Sequence, residues 1–278
     1  MNTQIHSIQT GVVHVKTDFL KGSVEAGGMA RFFGKLLTDK TWIDLPIYAW
    51  AIVHAEGVIV IDTGDRADTT SNFVSQSTYT ILPEEEIGAR LLKLGIKTSE
   101  VSKIVLTHIH GDHANGINQF PKTPVFLGEK EYAFHKSAFG GRFNRFATRI
   151  PNWFDPQPLI FRPEPIGPFE TSFPLTKAGD VIAVPTPGHT AGHTSIIVIA
   201  DDVHYLIAGD VTYNEQGLID QQRQGPSLAP VEHTQTLRRI WDYAQQTPLV
   251  YLPSHDWESA NRLAAKQTVT AELGVPVL

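Results

Sequence analysis

The stretch Thr107-His108-Ile109-His110-Gly111-Asp112-His113 gathers three imidazoles and one carboxylate within six residues. Neutral imidazole suits zinc, iron, cobalt or nickel, and a carboxylate completes a site of hard and borderline donors. Ser102-Lys103-Ile104-Val105-Leu106, just before it, reads as a short buried strand. A strand delivers its C-terminal end to one point, and the turn that follows fans the side chains outwards. Neighbours in sequence can therefore face different metal positions. A single histidine is ordinarily a core or surface residue, but four candidate ligands at this spacing point to metal.

Three further apolar runs end in the same kind of side chain. Val181-Ile182-Ala183-Val184 leads to Thr186-Pro187-Gly188-His189, Tyr205 to Gly209 leads to Asp210, and Leu249 to Ser254 leads to His255. Seven candidates result: His108, His110, Asp112, His113, His189, Asp210 and His255. That is too many for one tetrahedral ion but suits two ions that share a carboxylate, roughly 3.5–4 Å apart.

His-x-His-x-Asp-His, then Gly188-His189-Thr190-Ala191-Gly192-His193, Gly209-Asp210 and Ser254-His255-Asp256 resemble the metallo-β-lactamase superfamily. The resemblance runs from Ile61-Asp62-Thr63-Gly64 to His255. It implies an α/β fold, the αβ/βα four-layer sandwich of the metallo-β-lactamase type, as a single domain over 1–278. It further implies that His108, His110 and His189 hold one metal, that Asp112, His113 and His255 hold the other, and that Asp210 bridges them. Asp62 is expected to support the ligand loop by hydrogen bonds, and His193 to play a similar supporting part. Two divalent ions are expected, zinc first, with iron, cobalt or manganese as alternatives.

Asp210-Val211-Thr212-Tyr213 resembles the N-acyl-homoserine lactonases, the quorum-quenching lactonases, in which a tyrosine at this offset reaches the substrate carbonyl. Lys35-Leu36-Leu37 and Leu45-Pro46 look like the start of the same enzymes. The implied reaction is lactone ring opening by a metal-bridging hydroxide. Tyr213 would donate to the oxyanion while staying neutral at pH 7, and Asp112 would carry the proton to the leaving alkoxide. Met29 and Phe32 are the expected acyl-chain contacts. Rival readings are an esterase or phosphotriesterase on the same site, and a metal-binding protein without turnover.

The whole chain of 278 residues carries a formal charge of −6, which argues against a basic nucleic-acid groove. It contains no cysteine, which excludes disulfides and thiolate ligands. No basic cluster followed by an apolar core opens the chain, and no apolar run is long enough to cross a bilayer. A soluble cytoplasmic protein without membrane or nucleic-acid partners is expected.

The elements that must position these residues follow from periodicity. Strands are predicted over 5–15, 46–53, 57–61, 102–106, 125–127, 181–184, 195–200 and 203–208, with a hairpin at Ala55-Glu56-Gly57. Pro83 opens a predicted helix that runs to a stop at Gly95, and further helices are expected over 129–136, 231–245 and from 258 or 259 to 266. Phe139, Phe143 and Phe146 would share one helical face, which either covers a sheet or borders a substrate pocket. The glycine-rich segment 17–41 carries large apolar groups, so it is expected to pack over a pocket, on the core, or against a second copy in a homodimer.

Overall fold

The computed structural model describes residues 3–21, 40–72 and 77–270; the side chains of Phe19, Lys21, Asn72 and 143–147 fall outside that description. Met29, Phe32, the Lys35-Leu36-Leu37 match and residues 22–39 of the expected dimer segment lie outside the described residues. The chain divides into two compact units: residues 1–16, 42–160 and 192–194 in one, and 17–41, 161–191 and 195–278 in the other.

The first unit is built on β1 (Gln4–Lys16), β2 (Trp42–His54), β3 (Gly57–Ile61), β4 (Ser71–Asn72), β5 (Ser77–Thr80), β6 (Val101–Leu106), β7 (Val125–Gly128) and β8 (Gln157–Leu159). They form one sheet in the order β4-β5-β1-β2-β3-β6-β7-β8. Turn residues Ala55 and Glu56 join β2 to β3 as an antiparallel hairpin. From β3 onwards the neighbours are parallel. Leu45 to Ile52 are buried without interruption, the pattern of a strand covered on both faces. Ile87, Leu91, Ile104, Leu106, Ile117 and Phe120 belong to the unit's apolar core.

Its helices are α1 (Ile87–Lys93), α2 (Gly111–Ala114), α3 (Glu129–Lys136) and α4 (Ala138–Ala147). The helix predicted from Pro83 is broken: a 3-10 turn covers Pro83–Glu85, and Glu86 is extended with ψ 147° before α1 begins. The cause is the Glu86 carboxylate, which accepts from Ala67 N at 2.8 Å and Gln119 Nε2 at 2.6 Å. Gly95, with φ +77°, ends the segment as expected. Of the expected phenylalanine stripe on α4 only Phe139 has a described side chain, and at 72% exposure it covers no sheet.

The second unit contains β9 (Phe173–Pro174), β10 (Val181–Pro185), β11 (Thr194–Ala200), β12 (Val203–Gly209) and β13 (Leu249–Pro253). Their order is β13-β12-β11-β10-β9, with β12 and β13 parallel. Three helices accompany them among the described residues: α5 (Glu215–Ile219), α6 (Pro230–Gln246) and α7 (Ser259–Ala265). Pro230 stands at the first turn of α6, where its missing N–H costs nothing. His233, Thr236, Leu237, Ile240 and Tyr243 are buried, a spacing that puts them on one face of the helix. Leu237 and Ile240 share a core with Val184, Leu206 and Tyr251.

No helix among the described residues is long and apolar enough to cross a membrane. Replacing the fully buried Leu237 by alanine is expected to cost about 2–5 kcal/mol of stability. Chemical denaturation checks this, and a loss near zero would mean that α6 is not held by its apolar face.

Candidate metal centre

In the first unit the site begins where two parallel strands end together. Ile61 of β3 is in register with Val105 of β6, so Asp62, one residue on, and Thr107, two residues on, emerge at the same end of the strand pair. Asp62 is fully buried and takes a left-handed backbone, φ +58°, a conformation that aspartate tolerates better than most residues. Its Oδ1 accepts from Thr107 N at 2.7 Å, and its Oδ2 accepts from Thr107 Oγ1 at 2.9 Å. Oδ2 also takes His113 Nδ1 at 2.8 Å.

Those contacts fix two tautomers. A carboxylate only accepts, so His113 must carry its proton on Nδ1 and present the Nε2 lone pair. The Thr107 hydroxyl spends its own proton on Asp62, so at 3.0 Å its oxygen accepts from His108 Nδ1, and His108 likewise presents Nε2. His108 Nε2 lies 2.8 Å from His110 Nδ1. Asp112 and His113 stand in the first turn of α2, and Thr63 N and Oγ1 both donate to the His113 carbonyl, at 2.7 and 3.0 Å.

Glu131, buried on α3, accepts from Ile109 N at 3.0 Å and holds the backbone between His108 and His110. Nothing in the sequence distinguishes it from an ordinary acid in a helix's first turn. The only signal is the glycine at 192, where a Cβ would stand 2.0 Å from Glu131 N. Asp65 accepts at Oδ1 from Asn115, Arg66 N and Thr69. Burial pushes its carboxyl above the usual range, against those hydrogen bonds. His193, expected to support the site, is buried with its ring centroid 5.3 Å from that of His108.

The second unit repeats the device with β12 and β13. Gly209 is in register with Pro253, and Ser254 N donates to the Gly209 carbonyl at 3.1 Å. Parallel pairing therefore brings Asp210 and His255 together. Asp210 Oδ1 lies 3.3 Å from His255 Nε2, and Oδ2 lies 3.3 Å from His189 Nε2. One buried carboxylate thus turns each oxygen to a different imidazole.

Tyr213 is buried beside both imidazoles, its ring centroid 5.0 Å from that of His255 and 6.4 Å from that of His189. Its N–H is held by Gln224 Oε1 at 2.7 Å. Gly225, with φ +66°, gives the phenol its place, since a Cβ there would be 2.4 Å from the hydroxyl. Behind His255, Asp256 accepts from Arg262 Nη2 at 2.6 Å and from Glu215 N at 3.0 Å. Burial, outweighing the Arg262 charge, pushes the Glu215 carboxyl up.

All seven expected ligands belong to groups of His and Asp side chains that could hold a metal ion. The donor set fits: imidazoles, two of them (His108 and His113) with the tautomer set by their hydrogen bonds, and carboxylates, buried or half-buried.

A sequence model of the metallo-β-lactamase superfamily matches residues 42–255, and the chain belongs to that superfamily. A probable metallo-hydrolase of Mycobacterium tuberculosis is 30% identical over 189 residues, 64% of this chain and 60% of that protein. The match therefore spans less than two thirds of the mycobacterial relative. The N-acyl homoserine lactonase AttM of Azorhizobium caulinodans is 24% identical over 223 residues, 77% of this chain and 82% of the other. A solved structure of Bacillus thuringiensis AiiA, with N-decanoyl-L-homoserine bound at its active site, matches with a TM-score of 0.68 at 19% identity. It covers 94% of this chain and 96% of that one. The fold is of the expected metallo-β-lactamase type, mixed α/β with two sheets.

Asp62→Asn keeps the shape of the hub but replaces one accepting oxygen by a donor. Metal affinity is expected to fall roughly 10- to 100-fold, the usual cost of losing a partner that orients a ligand, while the chain stays folded. Competition against a chromophoric chelator measures it, and unchanged affinity would show that the tautomers are fixed by something other than Asp62.

Proposed function

We propose that this chain is a dinuclear metal-dependent hydrolase that opens the lactone ring of N-acyl-homoserine lactones. The observation that carries the reading is Tyr213, a buried phenol beside the two imidazoles that flank Asp210. The related lactonases support it. In this reading His108, His110 and His189 hold one ion, Asp112, His113 and His255 hold the other, and Asp210 serves both. Zinc is the proposed ion in each position, since imidazole and carboxylate donors suit it.

When bound, the ions supply Lewis acidity, which lowers the pKa of a coordinated water and polarises an ester carbonyl. The chain's own groups do the rest. Tyr213 donates its hydroxyl proton in a hydrogen bond to the oxyanion as the carbonyl carbon becomes tetrahedral. Gln224 and Gly225 fix where that hydroxyl stands. Asp112 takes the proton of the attacking water and returns it to the ring oxygen as the C–O bond breaks. The product is the open N-acyl-homoserine, with no net change in protons apart from ionisation of the new carboxyl group. Met29 and Phe32 are proposed to meet the acyl chain.

Zinc-loaded protein assayed on a homoserine lactone series, an aryl ester and a phosphotriester tests the reading. Lactones are expected to give the highest kcat/KM. Preference for the aryl ester or phosphotriester would reject lactones in favour of a broader hydrolase. Tyr213→Phe, which deletes only the hydroxyl, is expected to slow lactone opening roughly 10- to 1,000-fold and to affect the activated aryl ester less. Unchanged lactone turnover would remove Tyr213 from the mechanism.

A further inference from the structure

We infer that His233 is a positioning residue for the metal ligands, a neutral imidazole that ties the turn carrying His189 to the turn carrying Asp210. The inference rests on the reading of His189 and Asp210 as ligands, and is independent of the lactone substrate.

His233 lies on α6, in no motif, yet is fully buried. Its Nε2 is 2.7 Å from the carbonyl oxygen of Val211, the residue that follows Asp210. A carbonyl only accepts, so Nε2 carries the proton. Nδ1 then offers a lone pair, and the Ser227 hydroxyl stands 2.9 Å away to donate to it. Burial, aided by the Arg223 charge, pulls the imidazole pKa below its ordinary value despite the Val211 bond and the Asp210 charge. The ring is therefore a neutral donor with one tautomer.

The same side chain closes on the other turn. A Cβ at Gly188 would lie 2.5 Å from both Cβ and Cγ of His233, so only glycine can precede His189 while His233 occupies this place. The chain leading into α6 clasps that turn: Ala229 N donates to Gly188 O at 3.0 Å, and Leu228 N to His189 O at 3.2 Å. One helical turn beyond His233, Thr236 Oγ1 donates to Pro187 O at 2.7 Å. One face of α6 thus grips the backbone on the near side of His189, and the His233 ring reaches from there to the backbone just after Asp210. With the contacts of Leu228, Ala229 and Thr236 holding the first turn, the ring links it to the turn of the carboxylate that His189 faces.

Replacement by the two amides separates positioning from mere filling of space. Glutamine places its amide nitrogen near the position of Nε2 and can still donate to Val211 O; asparagine reaches only the Nδ1 position. Metal affinity and stoichiometry are measured by zinc competition with a chromophoric chelator, with thermal unfolding of the metal-free proteins as the folding control. His233→Gln is expected to keep two ions at close to wild-type affinity. His233→Asn is expected to bind zinc roughly 10- to 100-fold more weakly, as for loss of a ligand-orienting partner. Ser227→Ala, which touches only Nδ1, gives a smaller loss in the same direction and provides the readout if His233→Asn does not fold. Wild-type affinity in His233→Asn, equal losses in the two amide variants, or wild-type affinity in Ser227→Ala beside an unfolded asparagine variant would each overturn the inference. A wild type that binds no zinc would overturn the ligand reading and this inference with it.

Discussion

The Asp62 carboxylate is the interaction on which the first half of the site depends. Each of its oxygens accepts from protein donors, one at Oδ1 and two at Oδ2, and through Thr107 it orders a histidine it does not touch. A buried carboxylate is expensive unless its acceptors are satisfied. Here the satisfaction is supplied by the groups that need orienting, so the cost of burying the charge and the organisation of the ligands are one expenditure. The left-handed backbone at Asp62 is part of the same arrangement, since local strain persists where the surroundings over-determine it.

Both units use parallel strand pairs to place their candidate ligands. In β3 and β6 the pairing ends Asp62 and Thr107 at one edge; in β12 and β13 it does the same for Asp210 and His255. Parallel neighbours end at the same edge, so turns that are distant in sequence become adjacent without any contact between their side chains having to be selected first. The turns themselves are then held by groups from outside the strands: Glu131 at Ile109, Arg262 at Asp256, and α6 at Pro187 and Gly188.

Much of this is legible in the sequence, and for one reason. The chemistry-bearing residues stand directly after apolar runs, so strand ends and candidate ligands announce each other. The supporting part expected of Asp62 comes from its resemblance to the family's early aspartate, and its hydrogen bonds to Thr107 and His113 fit that part. What the sequence hides are contacts without a period. Glu131 looks like any acid in the first turn of a helix, and His233 like any histidine on an amphipathic one. The break at Glu86 arises because its carboxylate finds Ala67 and Gln119, partners far along the chain that no local pattern reveals. Strands of two or three residues, such as Ser71–Asn72, Gln157–Leu159 and Phe173–Pro174, are too short to show alternation.

The central proposal is that Asp210 serves two metal ions, one at each of its carboxylate oxygens. Anomalous diffraction from zinc-loaded crystals, collected on both sides of the metal edge, tests it most directly. Two peaks roughly 3.5–4 Å apart, with one oxygen of Asp210 directed to each, are expected. A single peak, or metal held away from Asp210, would contradict the dinuclear reading.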